Sequence, residues 1–126
     1  MAKILIVEDR KEYRHLLKEK ISPLYEVRSA MTAKEAIEEL KTNPDVVILD
    51  MEFPEEQGGV VETDMGFEVL EKIKKTNPKI QVIILSSKEF DYEDAKRKGA
   101  FECLLKDTLG VFEKVLDIIE KCLKKS

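Results

Sequence analysis

The sequence predicts an α/β domain, a doubly wound parallel sheet of five strands with helices on both faces. Three observations predict it. Short, almost wholly apolar runs (ILIV, VVIL, IQVIIL) lack the polar alternation of a strand with one wet face, so they read as strands buried on both sides. Amphipathic stretches of helical period separate these runs. Thr-Asn-Pro stands twice at such a junction, at residues 42–44 and 76–78, each time stopping a helix and leading into a strand.

The elements follow in order. The first strand covers residues 3–7, and a helix over 10–20 keeps Tyr13, Leu16, Leu17 and Ile21 on one face. Residues 24–28 (LYEVR) alternate like a half-exposed strand. Thr32 and Glu35 form the T-x-x-E capping box of a second helix, carried by Ala36, Ile37 and Leu40. The third strand is 46–49, and the third helix is expected over 66–76 with Phe67, Leu70 and Ile73 inward. A fourth strand (80–85), a short charged helix (89–98) and a fifth strand (101–105) lead to a last helix from about residue 108 to 124. In that helix Phe112, Val115, Leu116, Ile119 and Cys122 face inward. Right-handed crossovers leave few windings for such a chain, and the flavodoxin-like strand order 2-1-3-4-5 is the natural one.

Composition bounds the function. Residues 1–126 read as one domain, without a linker or an attached effector domain. Asp and Glu total 26 against 22 Lys and Arg, a net charge of −4 that argues against nucleic-acid binding. No apolar run approaches a membrane span, and MAKILIVED lacks a signal-peptide layout, so a cytoplasmic protein without a membrane partner is expected. Cys103 and Cys122 have neither CxxC nor His spacing and read as buried, inert thiols. His15 reads as a surface residue, and Lys96-Arg97-Lys98 and the closing KCLKKS as solvated helix ends.

In a sheet of this kind ligands bind beyond the carboxyl ends of the strands. The first polar residues there are Glu8 and Asp9 after strand one, Asp50 after strand three, Ser86 after strand four and Lys106 after strand five. Three converging carboxylates repel unless a cation joins them, and hard oxygen donors of this kind suit Mg²⁺. Lys106 and Ser86 would then hold the oxygens of a phosphoryl group. A carboxylate can itself accept that group as an aspartyl-phosphate, and Asp50, alone at the end of the central strand, is best placed to do so. Taken singly, a strand-end Asp also fits a plain helix cap or turn former. Four strand ends supplying the right groups together favour the chemistry.

The motifs ILIVED, VVILDMEFP, IILSS and LLKD, in this order and spacing, resemble the receiver domain of two-component response regulators over essentially the whole chain. The resemblance implies that Asp50 is the phosphoacceptor, loaded from a phosphohistidine on a sensor histidine kinase or phosphotransfer protein. It implies Mg²⁺ held by Asp9, by Glu8 partly through water, by Asp50 and by the main-chain carbonyl of Glu52. Ser86 matches the hydroxyl residue that turns toward the phosphoryl group, Lys106 the family's lysine, and Pro54 the proline after the acceptor. Output is expected as a shift in the face made by the fourth helix, fifth strand and fifth helix, read by a downstream protein. Any catalysis would be limited to the domain's own phosphorylation and dephosphorylation.

Three features depart from the family pattern. Cys103 stands where receivers usually carry an aromatic residue, with Phe101 and Tyr92 as the nearest substitutes. Asp107 replaces the usual proline after the lysine, so a trans bond is expected there. The loop after Asp50 is about eight residues longer than usual before Gly66, and residues 55–64 are acid- and glycine-rich. That loop reads either as a tolerated insertion or as a partner-recognition element or lid. The resemblance also points to Glu52 and Lys88, positions that tune hydrolysis in receivers, and their opposite charges are expected to pair over the phosphoryl group. Two rival functions remain: a pseudo-receiver acting as a constitutive interaction module, favoured by Cys103 and Asp107, and a small phosphatase or phosphotransferase, which would need a general acid and a substrate pocket.

Overall fold

The computed structural model describes residues 1–125. Five parallel strands form the central sheet: β1 (Lys3–Val7), β2 (Glu26–Ala30), β3 (Val46–Leu49), β6 (Gln81–Ser86) and β7 (Glu102–Leu105). Their spatial order is β2-β1-β3-β6-β7, the expected 2-1-3-4-5 winding. Two further strands, β4 (Phe53–Pro54) and β5 (Val61–Glu62), make a separate antiparallel ribbon within the long loop.

The helices are α1 (Lys11–Ile21), α2 (Ala33–Glu39), α3 (Met65–Thr76), α4 (Tyr92–Arg97) and α5 (Val111–Lys125). Period-2 alternation sends successive residues of each strand to opposite faces. Leu5, Val47, Val82 and Ile84 pack with Ala36, Val69, Leu70, Ile73 and Ala95 of α2, α3 and α4. Ile4, Ile6, Ile48 and Ile83 pack with Leu17, Ile21, Val115, Ile119 and Cys122 of α1 and α5. β3 is central and all four of its residues are buried, which explains its uninterrupted apolar sequence.

Several boundaries differ from the sequence reading. The second strand is Glu26–Ala30 rather than 24–28, and Leu24 is exposed, because a turn after α1 ties Leu24 and Tyr25 N–H to the Ile21 carbonyl. Helix α4 starts at Tyr92 rather than residue 89, capped by the Asp91 side chain, which accepts from Asp94 N–H at 3.0 Å. The last helix starts at Val111, after a turn in which Gly110 has a positive φ. Helix α3 starts at Met65, one residue before the expected Gly66, and ends at Thr76 as expected. The capping box of α2 forms with one change. Thr32 Oγ1 accepts from Glu35 N–H at 3.1 Å, while Glu35 reaches one residue further back, to Met31 N–H at 2.7 Å.

Candidate functional site

The sheet's own hydrogen bonds place the rim residues. Each ladder continues one residue past its strand: Glu8 N–H donates to Ala30 O (3.0 Å), Asp50 N–H to Val7 O (3.0 Å) and Lys106 N–H to Ser86 O (2.7 Å). Glu8, Asp50 and Lys106 therefore have strand-like rigidity although they lie in connections. Carboxylate oxygens of Glu8, Asp9 and Asp50 lie within 4.8 Å of one another. Glu8 and Asp50 are buried, and Asp9 is half-buried.

Lys106 crosses from β7 into this cluster. Its Nζ is 2.5 Å from Glu8 Oε1 and 3.5 Å from Asp50 Oδ1, and it lies 4.6 Å from the centre of the Tyr13 ring. Glu8 Oε2 also accepts from Arg10 N–H at 3.1 Å, and Asp50 Oδ1 from Met51 N–H at 2.8 Å. One ammonium facing three carboxylates leaves the cluster short of positive charge. Asp50 shows the consequence. Burial, and then the neighbouring Glu8 carboxylate, push its pKa up to about 7 against the opposing pull of Lys106. Three hard oxygen donors, two of them buried and undercompensated, fit a small divalent cation such as Mg²⁺.

Ser86 is the buried last residue of β6. Its hydroxyl donates to Lys88 O (2.9 Å) and accepts from Lys88 N–H (3.2 Å), so it closes a local turn. Glu52 and Lys88 do meet, with Lys88 Nζ 3.5 Å from Glu52 Oε2. Of the two candidate aromatics, Tyr92 packs on the α2–α3–α4 side of the sheet, where Cys103 lies. Phe101 packs on the other side, because it precedes β7 and escapes that strand's alternation. Tyr92 packs against Phe90 with the rings tilted by 49° (centroids 4.7 Å apart), and Phe90 meets Phe67 edge-on at 6.2 Å. The Lys106–Asp107 bond is trans. Burial pushes the Cys103 and Cys122 thiols up to about 11, so both stay protonated and inert at neutral pH. His15 pairs with Glu19 on the exposed face of α1.

Sequence reasoning missed two residues here. Arg14 reaches back from α1 to accept nothing and donate twice, from Nη1 to the carbonyls of Glu8 (3.0 Å) and Asp9 (3.3 Å), which steadies the β1–α1 connection. Tyr13 supplies the ring under Lys106. Both sit on the first full turn of α1, directly after the acidic pair, and that proximity was the only available signal.

The long loop is ordered as a hairpin. Phe53 pairs with Glu62 and Pro54 with Val61, and Gly59 N–H bonds to Glu56 O around Gly58, whose φ of +80° favours glycine. Its stem leans on α2, where Glu55 O accepts from Lys34 N–H at 2.9 Å and so satisfies a free donor of the first helical turn. Val60 and Val61 are exposed at its far end. Gly66 N–H donates to Met51 O at 3.0 Å, and a Cβ at Gly66 would come within 2.5 Å of Asp50 O. A surface groove of about 530 Å³ lies between α2, α3 and the hairpin, and another of about 650 Å³ lies between α4 and α5. Neither is lined by Asp9, Asp50, Ser86 or Lys106.

The family model described as the response regulator receiver domain matches residues 4–120. The chain belongs to that family. This receiver is 36% identical over 131 residues to a protein-glutamate methylesterase/protein-glutamine glutaminase of Agrobacterium fabrum, in an alignment covering 96% of this chain and 34% of that protein. A second protein of the same description, from Rhizobium johnstonii, is 32% identical over 130 residues and is likewise covered to 34%. The receiver thus spans about a third of the length of these curated relatives. Among solved structures, the receiver domain of NtrX from Brucella abortus superposes with a TM-score of 0.82 at 28% identity, covering 98% of this chain and 99% of that one. The response regulator domain of Thermotoga maritima CheB superposes at 0.80 with 24% identity, covering 98% and 97%, which shows the shared fold.

Proposed function

We propose that this receiver is a phosphorylation switch in which Asp50 accepts a phosphoryl group from a histidine kinase or phosphotransfer protein. The observation that carries the reading is the meeting of Glu8, Asp9 and Asp50 within 4.8 Å, with Lys106 and Ser86 on the same rim. In the reaction an Asp50 carboxylate oxygen attacks phosphorus, the acyl-phosphate bond forms, and the bond to the donor's leaving group breaks. Asp50 must be ionised to attack, and its raised pKa means that added positive charge favours the reactive form. Glu8, Asp9, Asp50 and the Glu52 main-chain carbonyl would hold Mg²⁺, which would supply positive charge to offset the negative charge gathered at the site. Lys106 would hold a phosphoryl oxygen once the acyl phosphate has formed. Ser86 would leave its local turn with Lys88 to do the same.

That exchange gives the switch two states, with the unphosphorylated one favoured by the two Ser86–Lys88 hydrogen bonds. A downstream protein would read the change on the face of α4, β7 and α5, in the cytoplasm. Incubation with Mg²⁺ and acetyl phosphate should give an acid-stable, base-labile phosphate that Asp50→Asn abolishes. Cys103 in the aromatic position favours a second reading, a constitutive interaction module with the same fold. Failure of every small phosphodonor to modify the wild type would favour that module, and turnover of a free phosphate ester would favour an enzyme.

A further inference from the structure

We propose that Tyr13 is a positioning residue of the phosphoacceptor site, whose ring face keeps the Lys106 ammonium at the rim when the carboxylates are engaged elsewhere. The inference rests on the phosphoacceptor reading of Asp50. Three groups attract the ammonium: Glu8 at 2.5 Å, Asp50 at 3.5 Å and the Tyr13 ring at 4.6 Å from its centre, well within cation–π range. Two of the three belong to the carboxylate cluster. Any cation bound there competes with Lys106 for those oxygens and repels it. The ring is uncharged and stays attractive throughout. A lysine has four flexible methylene groups, so without such a surface the ammonium has easy access to water.

The ring is itself held from two elements. Tyr13 belongs to α1, and Phe112 of α5 packs against it with centroids 5.6 Å apart and planes tilted by 46°. Its hydroxyl is buried and has no hydrogen-bond partner among the described residues. The contact with Lys106 is made by the aromatic face, and the phenol oxygen takes no part in it. This separates a ring role from a hydroxyl role in a testable way.

The test follows the Lys106 ε-methylene NMR signals in wild type, Tyr13→Phe and Tyr13→Leu, each titrated with Mg²⁺, alongside the acetyl phosphate reaction rate. Ring current should hold the Lys106 signals upfield of the other lysines in wild type, before and after Mg²⁺. Tyr13→Phe, the conservative variant, should rescue both the shift and the rate. Tyr13→Leu should lose the upfield shift and react roughly 2–30-fold more slowly, the range that loss of one cation–π contact allows. Phe112→Leu leaves Tyr13 in place and should give a partial loss of the shift, which guards against misfolding of Tyr13→Leu. The proposal is overturned if Tyr13→Phe behaves like Tyr13→Leu, or if Mg²⁺ removes the upfield shift from wild type. A wild type that takes no phosphate would sink the phosphoacceptor reading and the rate effect with it, while the ring-current data would still decide whether the contact exists.

Discussion

Asp50 holds its proton into the neutral range because it is buried beside Glu8, and this has a signed effect on stability. Its folded pKa, about 7, lies above the ordinary 3.8, so its contribution is fully present below the lower value and is lost as pH rises through the upper one. Without divalent cations, wild type should therefore lose stability relative to Asp50→Asn between about pH 4 and about pH 7, by on the order of a few kcal/mol. Urea denaturation of both proteins across that window measures it, and a level difference would contradict the burial effect. Glu52 and Lys88 offer a second test at this scale. Lys88 is 73% exposed, so their ion pair is screened, and a Glu52→Ala/Lys88→Ala cycle should show only about 2–5-fold non-additivity in acyl-phosphate lifetime. Strict additivity would show that the pair does not act at the phosphoryl site.

The connection between β3 and α3 is pinned at both ends. Phe53 is fully buried beside the start of the loop, and Gly66 packs so closely on Asp50 and Met51 that a methyl group has no room. Gly66→Ala should cost roughly 1–3 kcal/mol in unfolding free energy and also slow phosphorylation, since relief of the clash displaces the acceptor's backbone. An alanine variant with wild-type stability and rate would refute this packing. Between the pins, deletion of residues 56–63 should change stability by less than about 1 kcal/mol, because loop-closure entropy depends weakly on length. If the hairpin is a recognition element, the same deletion weakens partner binding. Unchanged partner affinity and phosphoryl lifetime would leave the hairpin a neutral insertion.

At the level of the molecule, if the proposed site takes Mg²⁺ in the folded state alone, the ion should stabilise that state by mass action. At about a hundredfold excess over the dissociation constant the gain is about 2.7 kcal/mol, and Asp9→Asn should remove most of it, as thermal unfolding with and without Mg²⁺ would show. The sheet, its order and the rim residues were legible because buried parallel strands leave long apolar runs and a polar group at each end, as VVIL followed by Asp50 does. The β4–β5 ribbon was not legible, since strands of two residues carry no period. Nor was the contact of Tyr13 with Lys106, which joins distant parts of the chain and follows only from packing α1 over the strand ends. The side of the sheet taken by Phe101 was hidden for a related reason, because alternation fails just before a strand begins.

The pinned hairpin also keeps its exposed tip mechanically apart from the acceptor. Buried Phe53 and tightly packed Gly66 hold the two ends of the loop against the end of β3, so changes confined to its exposed tip are expected to leave the geometry at Asp50 unchanged. A recognition arm held apart from the acceptor in this way would let partner choice change while reactivity stays constant. If the hairpin recognises a partner, changing residues 55–62 should alter the affinity for that partner and leave the rate of phosphorylation at Asp50 untouched.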